Sequence, residues 1–204
     1  MAFSWDESRR AFADAADWFT RMAALVGDRW DQPGLGEWDV RALVGHTSRS
    51  LLTVETYLAR PAAAVEVASA VDYFRATRSA ASGPEVAARG RDAGTALGPD
   101  PATAVAGIVA RVVPLVDAGA GTERLTTIVG GMRLSDYLPT RTFELAVHTA
   151  DLATALDLPP DVPPSAAAQA LSLVSEIAVA DGLAGTLLLG ATGRAGLPVN
   201  FSVL

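Results

Sequence analysis

The chain has 204 residues, half of them apolar and 19% charged, with a formal net charge of -7 and a pI near 4.8. That length and apolar content suit one sizeable folded domain and exclude a disordered chain, while the acidic balance offers no electrostatic footprint for nucleic acid or an anionic membrane surface. Cysteine is absent, so disulfides and protein-thiol chemistry are excluded and any sulfur nucleophile must come from a small molecule.

All sixteen Lys+Arg positions are arginine. With abundant Ala, Gly and Val, this reads as coding bias rather than function. The segment from Met1 to Arg10 has the character of neither a signal nor a transit peptide. No stretch approaches the roughly 20 apolar residues of a membrane helix. A cytoplasmic location is expected.

Ser4-Trp5-Asp6-Glu7 has the form of a capping box. Trp5, Phe12, Ala15, Phe19, Met22 and Val26 then recur at helical spacing, predicting an amphipathic helix that ends near Gly27. Gln32 to Gly36 reads as a loop. A second helix is predicted from about Asp39 to Ala59, stopped by Arg60-Pro61. The Ala-rich segment from Ala62 to Leu97, interrupted by Ser82-Gly83-Pro84, predicts two shorter helical pieces. Asp100-Pro101 pairs an N-cap with proline at the first helical position and opens a helix to about Val116.

The period then changes. Leu125 to Val129 and Met132 to Leu134, either side of Gly130-Gly131, predict a short hairpin on a two-glycine turn. Ser135 is the expected cap of a long helix running to about Leu156, with Pro139 in its first turn, where no amide is needed. Pro159, Pro160, Pro163 and Pro164 form a rigid connector, and Ser165 to Ala180 a further helix ending at Asp181-Gly182. The tail from Leu187 to Leu204 reads equally as helix or strand. The expected fold is all-α, a four-helix bundle with a short hairpin and a small C-terminal extension. Residues 1–160 form the bundle, and 161–204 pack on it as a helix and tail.

The long helix carries Arg141, Glu144, His148 and Asp151. At about 100° per residue, these four fall within an arc of about 80°. Leu138, Leu145, Leu152 and Leu156 flank the arc on one side, and Phe143, Val147 and Ala150 on the other. Thr142, Ala146, Thr149 and Ala153 form the most solvent-tolerant face. The charged arc therefore points into the bundle, where ionisable groups are costly unless paired or bound to metal. Glu and His four apart on one helix can ligate one ion. His46, the only other histidine, lies beside the apolar stripe of the second helix. It would complete an open His-His-Glu site, suited to zinc, with nickel, iron or manganese compatible by ligand type. From spacing alone the alternatives stay open: a hydrogen-bonded core histidine, or simple ion pairs of Glu144 with Arg141 and of Asp151 with an arginine.

Two segments resemble a known family. Gly36-Glu37-Trp38-Asp39-Val40-Arg41-Ala42-Leu43-Val44-Gly45-His46 resembles the W-t-V-r-d-l-v-a-H segment of the mycothiol-dependent maleylpyruvate isomerase N-terminal domain, a branch of the DinB-like superfamily. Arg141 to Leu152 is similar to that family's R-x-x-E-x-x-x-H-x-x-D-L. The resemblance implies a divalent metal on His46, Glu144 and His148, zinc first and nickel second. It also implies mycothiol or a similar thiol as cofactor, and an electrophilic small-molecule substrate. About 20 residues follow the helix predicted to end at Ala180, too few for an independent domain. The expectation is therefore a metal-dependent thiol transferase or isomerase-like enzyme, with no catalytic residue assigned beyond the ligands. The competing expectation is a non-catalytic metal-binding bundle that acts as a sensor or interaction module. Asp151 would orient a ligand or a neighbouring arginine, Arg141 would hold a substrate or cofactor anion or pair with an acid, and Arg194 in its Gly-Arg turn would reach a carboxylate. Tyr57 and Thr53 are placed beside His46. A homodimer through an exposed helix face is compatible with such a bundle.

Overall fold

The computed structural model describes residues 3–78 and 84–204. The predicted Ser82-Gly83 break lies outside the described residues. Helix α1, Trp5–Ala24, starts on the expected capping box: the Glu7 amide donates to Ser4 Oγ, and the Ser4 amide donates to Glu7 Oε2 at 2.8 Å. Helix α2, Val40–Leu58, starts on Asp39, whose carboxylate accepts the Ala42 amide at 2.7 Å. Helices α3, Ala70–Thr77, and α4, Pro84–Ala96, follow. Helix α5, Pro101–Asp117, is capped by Asp100 with Pro101 at its start. A hairpin of β1, Arg124–Thr127, and β2, Gly130–Arg133, leads into α6, Leu134–Ala155. Helix α7 is Pro164–Ala180, and α8 is Ala184–Ala191.

Helices α1, α2, α5 and α6 form the bundle. Each of α1 and α2 packs on both α5 and α6, so α1 and α2 face each other across the core. Phe12, Phe19, Leu43, Leu51, Leu138, Leu145 and Leu152 fill that core and are fully buried. Burying a side chain of this size contributes about 1.5–3 kcal/mol. Helix α4 lies on α2, α3 on α6 and α7, and α7 on both α1 and α6. The α7 contact includes a hydrogen bond from Gln169 Nε2 to Ser8 Oγ and one between Ser165 and Asp14. Helix α8 packs on α7. Among the described residues no single helix is long and apolar enough to cross a membrane.

Four sequence expectations are corrected here. The hairpin turns on Ile128-Val129, and Gly130 and Gly131 belong to β2. Glycine is needed at 131 for a different reason: a Cβ there would lie 2.0 Å from the Ala64 carbonyl oxygen. Residues 60–67 run along the hairpin, with the Ala62 amide donating to the Arg124 carbonyl and the Glu66 and Val67 amides to the Gly131 carbonyl. Next, α6 begins one residue before Ser135. Its cap position is Arg133, without a side-chain cap, because β2 runs straight into the helix and the Ser135 amide donates instead to the Gly121 carbonyl. Pro139 consequently falls inside α6 and not in its first turn. Finally, Thr142, Ala146, Thr149 and Ala153 are buried, whereas Val147 is exposed. Small side chains let helices approach closely, and both α1 and α7 pack on α6. The tail, open between helix and strand in the sequence, forms α8 and then an irregular run to Leu204.

Candidate metal centre

Helices α2 and α6 pack side by side, which brings His46 to Glu144 and His148. One ligand atom from each of the three lies within 4.8 Å of the others. His148 Nε2 stands 3.2 Å from Glu144 Oε2, one turn earlier on α6. On the other edge of the ring, His148 Nδ1 donates to Asp151 Oδ2 at 3.1 Å. This fixes the imidazole so that Nε2 is the nitrogen turned to Glu144, the arrangement by which a carboxylate orients a ligating histidine. The His148 and Glu144 side chains keep 17% and 21% of their exposure, so the cluster is recessed but open on one side.

His46 is held by rings. Its imidazole lies 4.5 Å from the Trp38 ring centroid and meets the His148 ring edge-on at 4.8 Å. His46 Nδ1 is buried without a hydrogen-bond partner, a state that costs roughly 1–3 kcal/mol in a closed interior. Trp38 is itself fixed from behind, its indole N–H donating to the Ala87 carbonyl of α4 at 3.0 Å. Gly90 of α4 makes room for that indole, since a Cβ there would sit 2.5 Å from Trp38 Cε2. Gly45, next to His46, meets Gly94 so closely that a Cβ would lie 2.1 Å from the Gly94 nitrogen. Helix α4 thus clamps the start of α2 and the wall of the site together.

The three groups hold different charges. Burial, with the neighbouring His148 charge, brings His46 down to about 4, so its ring is neutral near pH 7. Burial also opposes charge on the other two, but their hydrogen bonds overcome it. His148, bonded to Asp151 and Glu144, is pushed up to about 9, and Glu144, with His148 and Arg141 beside it, is brought down to about 2. Two imidazoles and a carboxylate are a donor set for a borderline divalent ion, zinc above all. A bare nitrogen on His46 and a pre-oriented His148 fit that group.

Arg141 is in the same arc and only 8% exposed, but it does not pair with an acid. No carboxylate among the described residues stands within 4.0 Å of it. Instead, Nε donates to Thr140 Oγ1 at 2.9 Å, and the guanidinium lies over the Tyr137 and Tyr73 rings at 5.0 and 5.4 Å. Tyr137 donates its hydroxyl proton to Thr53 Oγ1 at 3.0 Å and packs on Tyr57. Thr53 and Tyr57 therefore hold the tyrosine platform of Arg141. Sequence reasoning missed Tyr73 and Tyr137. Tyr137, four residues before Arg141 on one helix, was discoverable from spacing; Tyr73 comes from α3, and no local pattern links it to α6. Arg194 lies in the exposed turn after α8, its amide donating to the Leu189 carbonyl, with no hydrogen bond or ion pair to the cluster.

Searches among curated proteins and among solved structures give no match to this chain. One family profile does match: the mycothiol maleylpyruvate isomerase N-terminal domain, over residues 6–153. That span runs from the first turn of α1 almost to the end of α6 and includes His46, Glu144 and His148. The chain therefore belongs to the mycothiol maleylpyruvate isomerase N-terminal domain family.

Proposed function

We propose that His46, Glu144 and His148 bind one divalent metal ion, zinc first and nickel second, and that the protein uses it to activate a low-molecular-weight thiol of the mycothiol type for transfer to, or isomerisation of, an electrophilic small molecule. The observation that carries this reading is the convergence of one ligand atom each from His46, Glu144 and His148 within 4.8 Å, beside a His46 ring whose Nδ1 is buried and unpartnered. A bound divalent ion supplies Lewis acidity, which lowers the pKa of a coordinated thiol and makes it nucleophilic near neutral pH.

The chain's own residues divide the remaining work. It contributes no thiol, having no cysteine, so the sulfur is the cofactor's. Asp151 accepts the Nδ1 proton of His148 and keeps Nε2 directed at the centre. Trp38 packs against His46 and, anchored on the Ala87 carbonyl, fixes the position of that ring. Arg141 spends one donor on Thr140 and keeps its guanidinium beside the centre on the tyrosine rings; there it holds an anionic group of the thiol or of the substrate. Arg194 has no part in this scheme. The reading includes no nucleic acid or membrane partner and places the protein in the cytoplasm, and a homodimer through an exposed helix face is compatible with it.

The test is metal content by elemental mass spectrometry, wild type beside His148→Ala, followed by thiol binding to the loaded protein. Near one equivalent of metal in the wild type and almost none in the variant is expected, with mycothiol binding that depends on the metal. A wild type that takes up neither zinc nor nickel would reduce the three residues to a buried polar network. Metal without thiol binding would favour a non-catalytic metal-binding bundle.

A further inference from the structure

Beside the metal centre stand two arginines that the ligand set leaves unmatched. On α2, His46, Arg49, Thr53 and Tyr57 are spaced three, four and four, so they share one stripe of the helix. The stripe runs antiparallel to α6: His46 meets the His148 ring at 4.8 Å, and eleven residues on, Tyr57 meets Tyr137 at 5.5 Å. Arg49 therefore lies on the stretch of α2 across from Glu144 and Arg141. Its backbone is tied to the next turn, where Thr53 Oγ1 donates to the Arg49 carbonyl at 2.8 Å and accepts the Tyr137 hydroxyl.

Arg49 is half-buried and, among the described residues, its side chain has neither an ion pair nor a hydrogen bond. Arg141, 8% exposed, has no ion pair either and spends only Nε, on Thr140. Both charges reach the same two rings. Burial and then His148 lower His46, and Arg49 and Arg141 add to that; burial raises Tyr57, and the two arginines oppose the rise. Guanidiniums acting on the same partly buried rings repel each other, and such charges are costly unless paired. The carboxylates nearby do not balance them. Glu144 and Asp151 are both engaged by His148, which those bonds raise to about 9, so it carries a proton at pH 7. Around the centre, three positive charges thus stand against two negative ones, and exchanging the His148 proton for a divalent ion makes it four against two. The charge of a thiolate would offset one of the surplus. One remains.

From this geometry we infer that Arg49 and Arg141 form an anion clamp beside the metal centre, Arg141 as its floor and Arg49 at its rim, which takes the carboxylate or phosphate of a small acid. Each guanidinium has unspent N–H donors in a planar fork that matches two oxyanion oxygens, and an anion between them relieves their repulsion. A neutral or cationic ligand would leave that repulsion in place. The clamp itself rests on the two arginines. Its assignment to the electrophilic substrate rests on the metal and thiol reading above, in which the thiol spends its charge on the metal. Arg49 is then the residue that selects acidic electrophiles over neutral ones.

The probe is benzoate, with benzamide as its neutral counterpart and phenyl phosphate as the second oxyanion, titrated into the full-length protein with and without zinc by calorimetry and by ligand-observed NMR. Saturable benzoate binding at about 1 mM or tighter is expected for a ligand of this size, with benzamide about tenfold weaker or worse. The tighter of benzoate and phenyl phosphate names the oxyanion. Arg49→Gln should weaken benzoate about tenfold in both forms of the protein, and Arg49→Lys, which keeps the charge but not the fork, about threefold. Arg10→Gln removes the same charge from an exposed position on α1 and should change nothing. Circular dichroism, zinc content and thiol binding at wild-type values in the Arg49 variants would separate a lost contact from a disturbed fold. Failure of the wild type to take up zinc would sink the metal reading, and the metal-free titrations would still decide the clamp. Benzoate binding no tighter than benzamide, or equal affinity in Arg49→Gln and Arg10→Gln, would overturn the clamp whatever the metal content.

Discussion

The α2–α6 seam and the C-terminal α8 with its tail depart from the usual rule of apolar inside and charge outside, and they do so in opposite directions. The seam buries a guanidinium, a carboxylate and two imidazoles, and every one is engaged: Arg141 by tyrosine rings, His148 by two carboxylates, His46 by Trp38. Only His46 Nδ1 lacks a partner. The tail instead exposes Leu188 at 64% and Val199 at 91%, and α8 has no buried residue. Buried charge is expensive and persists where its surroundings hold it in place. Exposed leucines cost little, because more than half of a typical protein surface is apolar. The seam is therefore informative about function in a way the tail is not.

The sharpest test of the contrast is truncation of equivalent side chains. Leu145→Ala, fully buried beside Glu144, should lower unfolding stability by about 2–5 kcal/mol in urea titrations. Leu188→Ala should stay within about 0.5 kcal/mol. Similar losses in both would mean that α8 is covered in solution.

The charges at the seam predict a pH signature of comparable size. His148 is raised to about 9 and His46 lowered to about 4, so between those values a metal must displace one proton, from His148. Zinc affinity, corrected for chelator protonation, should rise about tenfold per pH unit from pH 6 to 8 and level off above 9. Asp151→Asn removes one of the carboxylates that hold the His148 proton, and should flatten the slope. A flat wild-type profile would show that metal binding displaces no proton from His148, and a slope of two would mean that His46 also carries a proton. In the metal-free protein the sign reverses. The raised His148 contributes stability that is complete below its ordinary 6.5 and is lost as pH climbs through 9.

A third test addresses the clamp. Gly45→Ala places a methyl 2.1 Å from the Gly94 nitrogen, which forces α4 off α2. A loss of about 1–3 kcal/mol is expected. Trp38 fluorescence should shift too, since Ala87 and Gly90 hold that indole. Unchanged emission with full stability would show α4 to be a loose appendage.

Much of this seam was legible in the sequence. The spacing of Arg141, Glu144, His148 and Asp151 placed them on one face, and the caps at Ser4, Asp39 and Asp100 set three helix starts. What failed was reading polarity as exposure. Thr142 and Thr149 are buried because small residues admit neighbouring helices; Thr142 Oγ1 bonds its own backbone at the Leu138 carbonyl, whereas Thr149 Oγ1 is buried without a partner. The tyrosine platform, the Trp38 wall and the hairpin's union with residues 60–67 depend on contacts between segments far apart in the chain, which no local periodicity carries.

The smallest predicted effect concerns the tail itself. Replacing Leu189 and Val199 together by serine removes exposed apolar surface from α8 and from the tail after it without touching the buried core. Leu189 also lends its carbonyl to the Arg194 and Ala195 amides, but those are backbone bonds that serine preserves. The double variant should match the wild type within about 0.5 kcal/mol, take up the same metal, and sediment identically at low concentration. If Leu189 and Val199 are covered by a second copy at high concentration, the wild-type melting temperature will rise with protein concentration and the variant's will not, because a partner bound only to the folded state stabilises by mass action. Flat melting temperatures in both would leave α8 and the tail as ordinary exposed surface and the chain's distinctive chemistry in the α2–α6 seam.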